Sequence, residues 1–192
     1  MPETLLQPED LLGFKPKFAI TFQSELDEFE AENITQAQEW LTPLRIKRAD
    51  PCDEAFLRKL HKQMFGEVWD WAGTYRLKET NLGIDPRFIP VTLSQDLLNV
   101  RYWLDHQTFP PDEIAARLHY LTVHIHPFRN GNGRCTRLLA DILLRKLGRE
   151  PFTWGGRNVH VEGPDRDAYH KTLNRLDANP DDIAPLIAFA RT

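Results

Sequence analysis

His126-Pro127-Phe128-Arg129-Asn130-Gly131-Asn132-Gly133-Arg134-Cys135-Thr136-Arg137 is the stretch on which the reading of this chain turns. It follows an apolar-periodic segment, Asp112–Ile125, and opens a second one that runs to Leu147. The loop therefore joins two helices, and Gly131 and Gly133 let its backbone turn sharply and expose N–H groups. The first turn of the following helix adds N–H groups without intrahelical partners and the positive end of the helix dipole. Arg134 and Arg137 are three residues apart in that turn, on neighbouring faces, and guanidinium forks suit phosphate oxygens. Asn132 can donate an amide N–H to the same anion. His126, just before the cradle, can accept the proton of an incoming hydroxyl. The pattern predicts a protein that grips a polyphosphate and deprotonates a nucleophile. It lacks the Gly-Lys-Ser/Thr ending of a P-loop, and it follows a helix, unlike a dinucleotide fingerprint.

Outward from the loop, the spacing predicts helices. In Asp112–Ile125, residues Ile114, Leu118, Leu121 and Ile125 recur at helical intervals; after the loop, Leu138, Leu139, Ile142 and Leu143 point inward and Gly148 stops the helix. Further helices are expected from Ser24, as cap, to Leu41 with Pro43 closing it, from Asp53 through Phe56, Leu60 and Met64, over Thr92–His106, over Pro164–Ala178 and over Asp181–Ala190. Between Gly66 and Val91 the periodicity breaks, and Arg76–Asn81 and Phe88–Val91 read as two short strands around Gly83-Ile84-Asp85-Pro86. Residues 1–20, with Pro2, Pro8, Gly13 and Pro16, read as an irregular arm packed down by Leu11, Leu12, Phe14 and Phe18. The expected fold is mainly α, a single helical domain over 21–192 with one small β excursion.

Composition limits the function. The 192 residues suit one domain, and 41% are hydrophobic, enough for a core. With 28 acidic against 24 basic residues the net charge is −4, which argues against general nucleic-acid binding. Cys52 and Cys135 fit no metal spacing, and Cys135 reads as packing although Arg134 and the helix start beside it could lower its pKa. No membrane-length apolar run or signal-like opening occurs, so a reduced cytoplasmic protein is expected. His119, His124 and His126 invite a zinc reading, but a helix at this spacing splays them. Trp40, Trp69, Trp71 and Trp103 read as core or rim packing.

The 126–137 segment resembles the signature of Fic-domain proteins, His-x-Phe-x-Asp/Glu-Gly-Asn-Gly-Arg-x-x-Arg, with Asn130 where the family has an acid. Trp71-Ala72-Gly73-Thr74-Tyr75-Arg76 is similar to the family's lead-in to its flap, residues 77–91 to the flap, and Tyr169 to Phe189 to its closing helices. Glu25 through Ile34 resembles the subgroup called mobile mystery protein B. The resemblance implies a Fic-like helical bundle with a short β-hairpin flap. It implies transfer of AMP from ATP to a Ser, Thr or Tyr hydroxyl of a target protein, with Mg²⁺ as cofactor. His126 would be the general base, Gly131, Asn132 and Gly133 would hold phosphates, and Arg134 and Arg137 would clamp the triphosphate. Asn130 would stand at the metal position, with an amide oxygen in place of a charged ligand. Asn81, Leu82, Gly83 and Ile84 would bind the target by strand addition. The acidic helix 24–41 would supply an inhibitory carboxylate, Glu32 or else Glu28, against Arg137, unless Glu25 to Glu32 is simply a solvated face. The subgroup implies a small helix-turn-helix regulator and a toxin-like role. Two other readings stay open: transfer of another phosphate-containing group, as in the Doc branch, and a catalytically silent target-binding module.

Overall fold

The computed structural model describes residues 11–15, 19–156 and 163–192. Its helices are α1 (Gln23–Trp40), α2 (Pro43–Arg48), α3 (Glu54–Phe65), α4 (Ile89–Asp105), α5 (Pro111–Ile125), α6 (Asn132–Lys146), α7 (Pro164–Ala178) and α8 (Ala184–Arg191). The mainly helical expectation holds. Of the arm over 1–20, residues 1–10 and 16–18, Phe18 among them, lie outside the described residues. Phe14 meets Trp69 in an isolated antiparallel bridge, and the Asp70 N–H donates to the Gly13 carbonyl at 2.8 Å.

α5 is the axis. Pro111 occupies its first turn, where a missing N–H costs nothing, and Asp112 and Glu113 suit the positive dipole end. Ile114, Ala115, Ala116, Leu118, Tyr120 and Ile125 are buried on several sides, because α4 packs on one flank and α6 on the other. Each fully buried large aliphatic chain contributes about 1.5–3 kcal/mol. α6 buries Leu138, Leu139, Ile142, Leu143 and Leu144, so the apolar content of both helices fixes the loop between them on a rigid base.

α1 lies against α3. Its buried face is Leu26, Glu30, Asn33 and Ala37, at intervals of four, three and four, while Phe29 and Ile34 are only partly covered. The buried Asn33 amide donates to the Gln63 carbonyl at 3.0 Å and accepts from the Glu67 N–H at 3.0 Å, pinning α1 to the end of α3.

Three expectations are corrected. Ser24 is not the cap of α1: the Glu25 carboxylate reaches back to the N–H groups of Thr21 at 2.7 Å and Phe22 at 2.9 Å and satisfies that end instead. Pro43 opens α2 rather than merely closing α1, with Thr42 accepting from the Arg45 N–H. Phe88–Val91 is not a strand. Asp85 accepts from the Arg87 N–H at 2.9 Å, Pro86–Phe88 forms a 3-10 turn, and α4 follows with Pro90 in its first turn. The prolines that read as breakers are helix-start residues here. Residues 77–85 run without strand pairing, so the described residues hold no β-hairpin.

Candidate active site

α5 stops at Ile125 because Pro127 disfavours helical backbone at the residue before it. His126 adopts the left-handed region, φ 53° and ψ 60°, which costs a non-glycine residue about 1–2 kcal/mol and swings its ring out of the helix. The imidazole is half-buried. Burial, and then the charge of Arg76, lower its pKa below the usual histidine range. It is therefore a neutral base at pH 7.

The loop is braced from inside. Phe128 is fully buried. The Asn132 amide accepts from the Phe128 N–H at 2.9 Å and donates to the Phe128 carbonyl at 2.9 Å. This corrects the expected role of its side chain: the amide, 1% exposed, staples the loop rather than facing an anion. Gly131 has φ +77°, and a Cβ there would lie 2.6 Å from the Phe65 ring. Helical bonding starts only with the Cys135 N–H on the Gly131 carbonyl, so the N–H groups of Asn132, Gly133 and Arg134 precede the ladder. Cys135 is fully buried, and burial pushes its thiol up, opposite to the lowering its neighbours suggested.

His61, which sequence reasoning missed, supports this loop from α3. Its Nε2 donates to the Asn130 carbonyl at 3.0 Å and its Nδ1 accepts from the Gly73 N–H at 3.0 Å. Both partners fix the neutral tautomer, and burial holds its pKa down to about 4. The ring stacks on Phe128 at 3.8 Å.

The cations line a cleft of about 830 Å³ shared by His126, Asn130, Gly131, Gly133, Arg134 and Arg137. Arg134 lies over the Phe65 ring and pairs with Glu30 at 2.6 Å. Glu30, 3% exposed, also accepts from the Trp69 indole N–H at 2.7 Å. Arg137, 7% exposed, sits over Tyr169 and bonds its hydroxyl, which in turn contacts His119 Nε2 at 2.9 Å. Glu28 and Glu32 are exposed on the opposite side of α1, and Glu32 accepts from Gln36. The carboxylate brought to the site is therefore Glu30, and it meets Arg134, because the buried face of α1 carries position 30 and not 28 or 32. His124 turns away to Asp177 at 2.9 Å, so the three neighbouring histidines diverge. Among the described residues no group of three His, Cys, Asp or Glu could hold a metal.

Two further features border the cleft. Asp141, one turn beyond Arg137, accepts from the Trp154 indole N–H and the Phe152 N–H, both at 3.1 Å, yet burial pushes its carboxyl up to about 7. The 81–84 segment also reaches the site: Leu82 and Gly83 line the cleft, and a Cβ on Gly83 would collide with the His126 Cβ. Asn81 and Leu82 are exposed.

The geometry has parallels among known proteins. Residues 51–144 match the model of the Fic/DOC family. The chain carries a Fic/DOC-family domain. Over 177 residues it is 29% identical to protein adenylyltransferase Fic of Nematostella vectensis, covering 90% of this chain and 39% of that protein. The Aedes aegypti protein of the same name is 27% identical, covering 97% and 36%. The chain thus spans less than two fifths of the length of these curated relatives. Among solved structures, the N-terminal Fic domain of a Bartonella sp. AR 15-3 effector superposes with a TM-score of 0.66 at 19% identity, covering 94% of this chain and 89% of that one. BepC of Bartonella tribocorum, solved with bound AMPPNP, gives 0.63 at 17%, covering 92% and 90%. These likenesses extend the Fic fold over nearly the whole chain, beyond residues 51–144.

Proposed function

We propose that this chain transfers AMP from ATP to a hydroxyl of a target protein. The observation that carries the reading is the convergence, in one cleft, of a neutral His126, the open N–H groups at the start of α6, and Arg134 and Arg137. The curated relatives named protein adenylyltransferase support it. The target hydroxyl oxygen attacks the α-phosphorus, His126 takes the hydroxyl proton, and the bond to the β-phosphate oxygen breaks. Pyrophosphate leaves, its charge balanced by the arginines and the helix start. The exposed 81–84 segment borders His126, where a docked target chain would present its hydroxyl.

The residues present do not make a magnesium site. Asn130 offers a neutral amide oxygen, and that oxygen already accepts from the Gly131 N–H at 2.7 Å. Metal dependence is accordingly expected to be weaker than with a carboxylate at this position.

The brake belongs to Glu30. It occupies the guanidinium of Arg134 that a phosphate would need, and nucleotide entry must displace it.

Labelling of lysate with α-³²P-ATP and, in parallel, γ-³²P-ATP tests the reading against a His126→Ala variant. Label from the α position that vanishes in the variant is expected. Label from the γ position alone would make the protein a kinase. No label from either, with Glu30→Gln also silent, would sink nucleotidyl transfer.

A further inference from the structure

Arg76 is 2% exposed, and each of its side-chain hydrogen bonds ends on a main-chain carbonyl. Nε donates to His126 at 2.7 Å, Nη1 to Lys78 at 3.0 Å, and Nη2 to Ile84 and, at 3.3 Å, to Ile125. Its own N–H donates to the Pro127 carbonyl at 2.9 Å. One side chain thus ties residues 76–78, residue 84 and the 125–127 turn together. The Ile125 and His126 carbonyls belong to the C-terminal end of α5, where a cation is favoured by the dipole and the last carbonyls need outside donors.

The 77–85 segment has little else to hold it. Leu77 is 92% exposed and Leu82 59%. Apart from the Arg76 fork, its link to the catalytic turn is one backbone bond, Ile84 N–H to the Ile125 carbonyl at 3.3 Å. Gly83 is packed so closely on His126 that a slip of the segment would move it into or off the base.

We infer that Arg76 is a positioning residue that sets the register of the 77–85 segment against His126. A target chain lying on that segment is thereby held at a fixed distance from the base. The planar fork is required, because a lysine ammonium is a point charge that cannot reach carbonyls on separate segments in one plane. The charge of the same cation is also felt at the imidazole. The cleft also presents Arg134, Arg137 and Asp141 from α6, Glu30 from α1, His170 from α7 and His124 from α5. Burial, and then the charge of Arg76, disfavour the imidazolium.

The inference rests on the adenylyl-transfer reading for its meaning, and its test needs neither nucleotide nor target. Amide exchange at Ile84 and the NMR titration of the His126 ring are measured in wild type, Arg76→Lys and Arg76→Gln, each checked for native helicity by circular dichroism. Arg76→Lys keeps the charge and loses the fork: Ile84 exchange should accelerate by about tenfold or more, with the His126 midpoint moving less than in Arg76→Gln. Arg76→Gln loses both, so the His126 midpoint should also rise. If Arg76→Lys leaves Ile84 as protected as in wild type, the inference is wrong. If Arg76→Gln fails to fold, the lysine variant alone decides. Labelling that fails while these readouts move would sink the transfer reading and leave the strap standing.

Discussion

Glu30→Gln separates the brake from the scaffold. The Glu30 carboxylate has two engagements, Trp69 Nε1 at 2.7 Å and Arg134 Nη1 at 2.6 Å. Glutamine can still accept from the indole, so the buried Trp69 N–H keeps a partner. What is lost is the negative charge paired with Arg134. Truncating one partner of a fully buried pair costs about 3–5 kcal/mol, but the Arg134 side chain is 23% exposed and water can take up its N–H groups. A stability loss of about 1–2 kcal/mol is therefore expected, read from denaturant unfolding. Nucleotide binding should change in the opposite direction. In the wild type, a phosphate must displace a charge-assisted bond worth about 1.5–3 kcal/mol. Removing that competitor should tighten ATP binding by about 10- to 150-fold, measured by calorimetry. Glu28→Gln and Glu32→Gln, on the exposed side of α1, are the controls and should leave ATP affinity within about twofold. A Glu30→Gln protein that folds but binds ATP no more tightly than wild type would refute the displacement argument. Tightening by Glu32→Gln or Glu28→Gln would move the brake to the outer face.

Three other outcomes follow from the site. Asn130→Asp should steepen the Mg²⁺ dependence of labelling, because it adds a charged oxygen to the loop; an unchanged metal titration would contradict the account of Asn130. Gly131→Ala combines a left-handed backbone, about 1–2 kcal/mol, with overpacking on Phe65, about 1–3 kcal/mol, so unfolding should show a loss of about 2–5 kcal/mol. For Asp141 the carboxyl sits at about 7 when folded and at about 3.9 when unfolded, so the folded state holds the extra proton and this group's contribution to stability falls as pH rises from about 4 to 7. Asp141→Asn should gain on the wild type across that window, by at most about 4 kcal/mol, in denaturation curves from pH 4.5 to 8. His61, depressed to about 4, works in the other direction below about 6.5 and is common to both proteins, so a difference that stays constant with pH would overturn the Asp141 assignment.

The His126–Arg137 turn was legible because its chemistry is local. A histidine before proline, two spaced glycines and two arginines in one helical turn dictate backbone and side-chain placement within twelve residues. α5 and α6 were legible for the same reason, since their apolar spacing carries through to burial. What the sequence hid is contact at long range. His61 and Asn130 are 69 positions apart, and nothing in the amphipathic pattern of α3 separates a loop-bracing histidine from a packed one. Glu30 was one carboxylate among several on α1. Helical phase against Leu26, Asn33 and Ala37 could have singled it out, but only a partner helix decides which phase is inward. Arg76 entered only as the end of the Trp71–Arg76 motif, and its role stayed hidden because its partners are carbonyls, and every residue has one. The missing hairpin failed on proline context: Pro86 and Pro90 end strands and begin helices equally well, and Asp85 as a cap tips the choice.

These pieces share an electrostatic logic. On the adenylyl-transfer reading, a cleft that takes a polyphosphate gains from every negative charge kept off it. Asn130 stands as an amide where a carboxylate would face the anion. Asp141, beside Arg137, is held by burial at a pKa near neutrality, so below about 7 it leaves that arginine's field on the cleft undiminished. Glu30 is a carboxylate delivered to Arg134, and one of its oxygens is anchored by Trp69. Its other oxygen meets Arg134 alone. A phosphate that arrives competes for that single contact, while Arg137 stays over Tyr169 on the far side of Gly133. Nucleotide that uses Arg134 therefore has to break the Glu30 pair. Weak binding that tightens when α1 is perturbed is the behaviour this competition predicts.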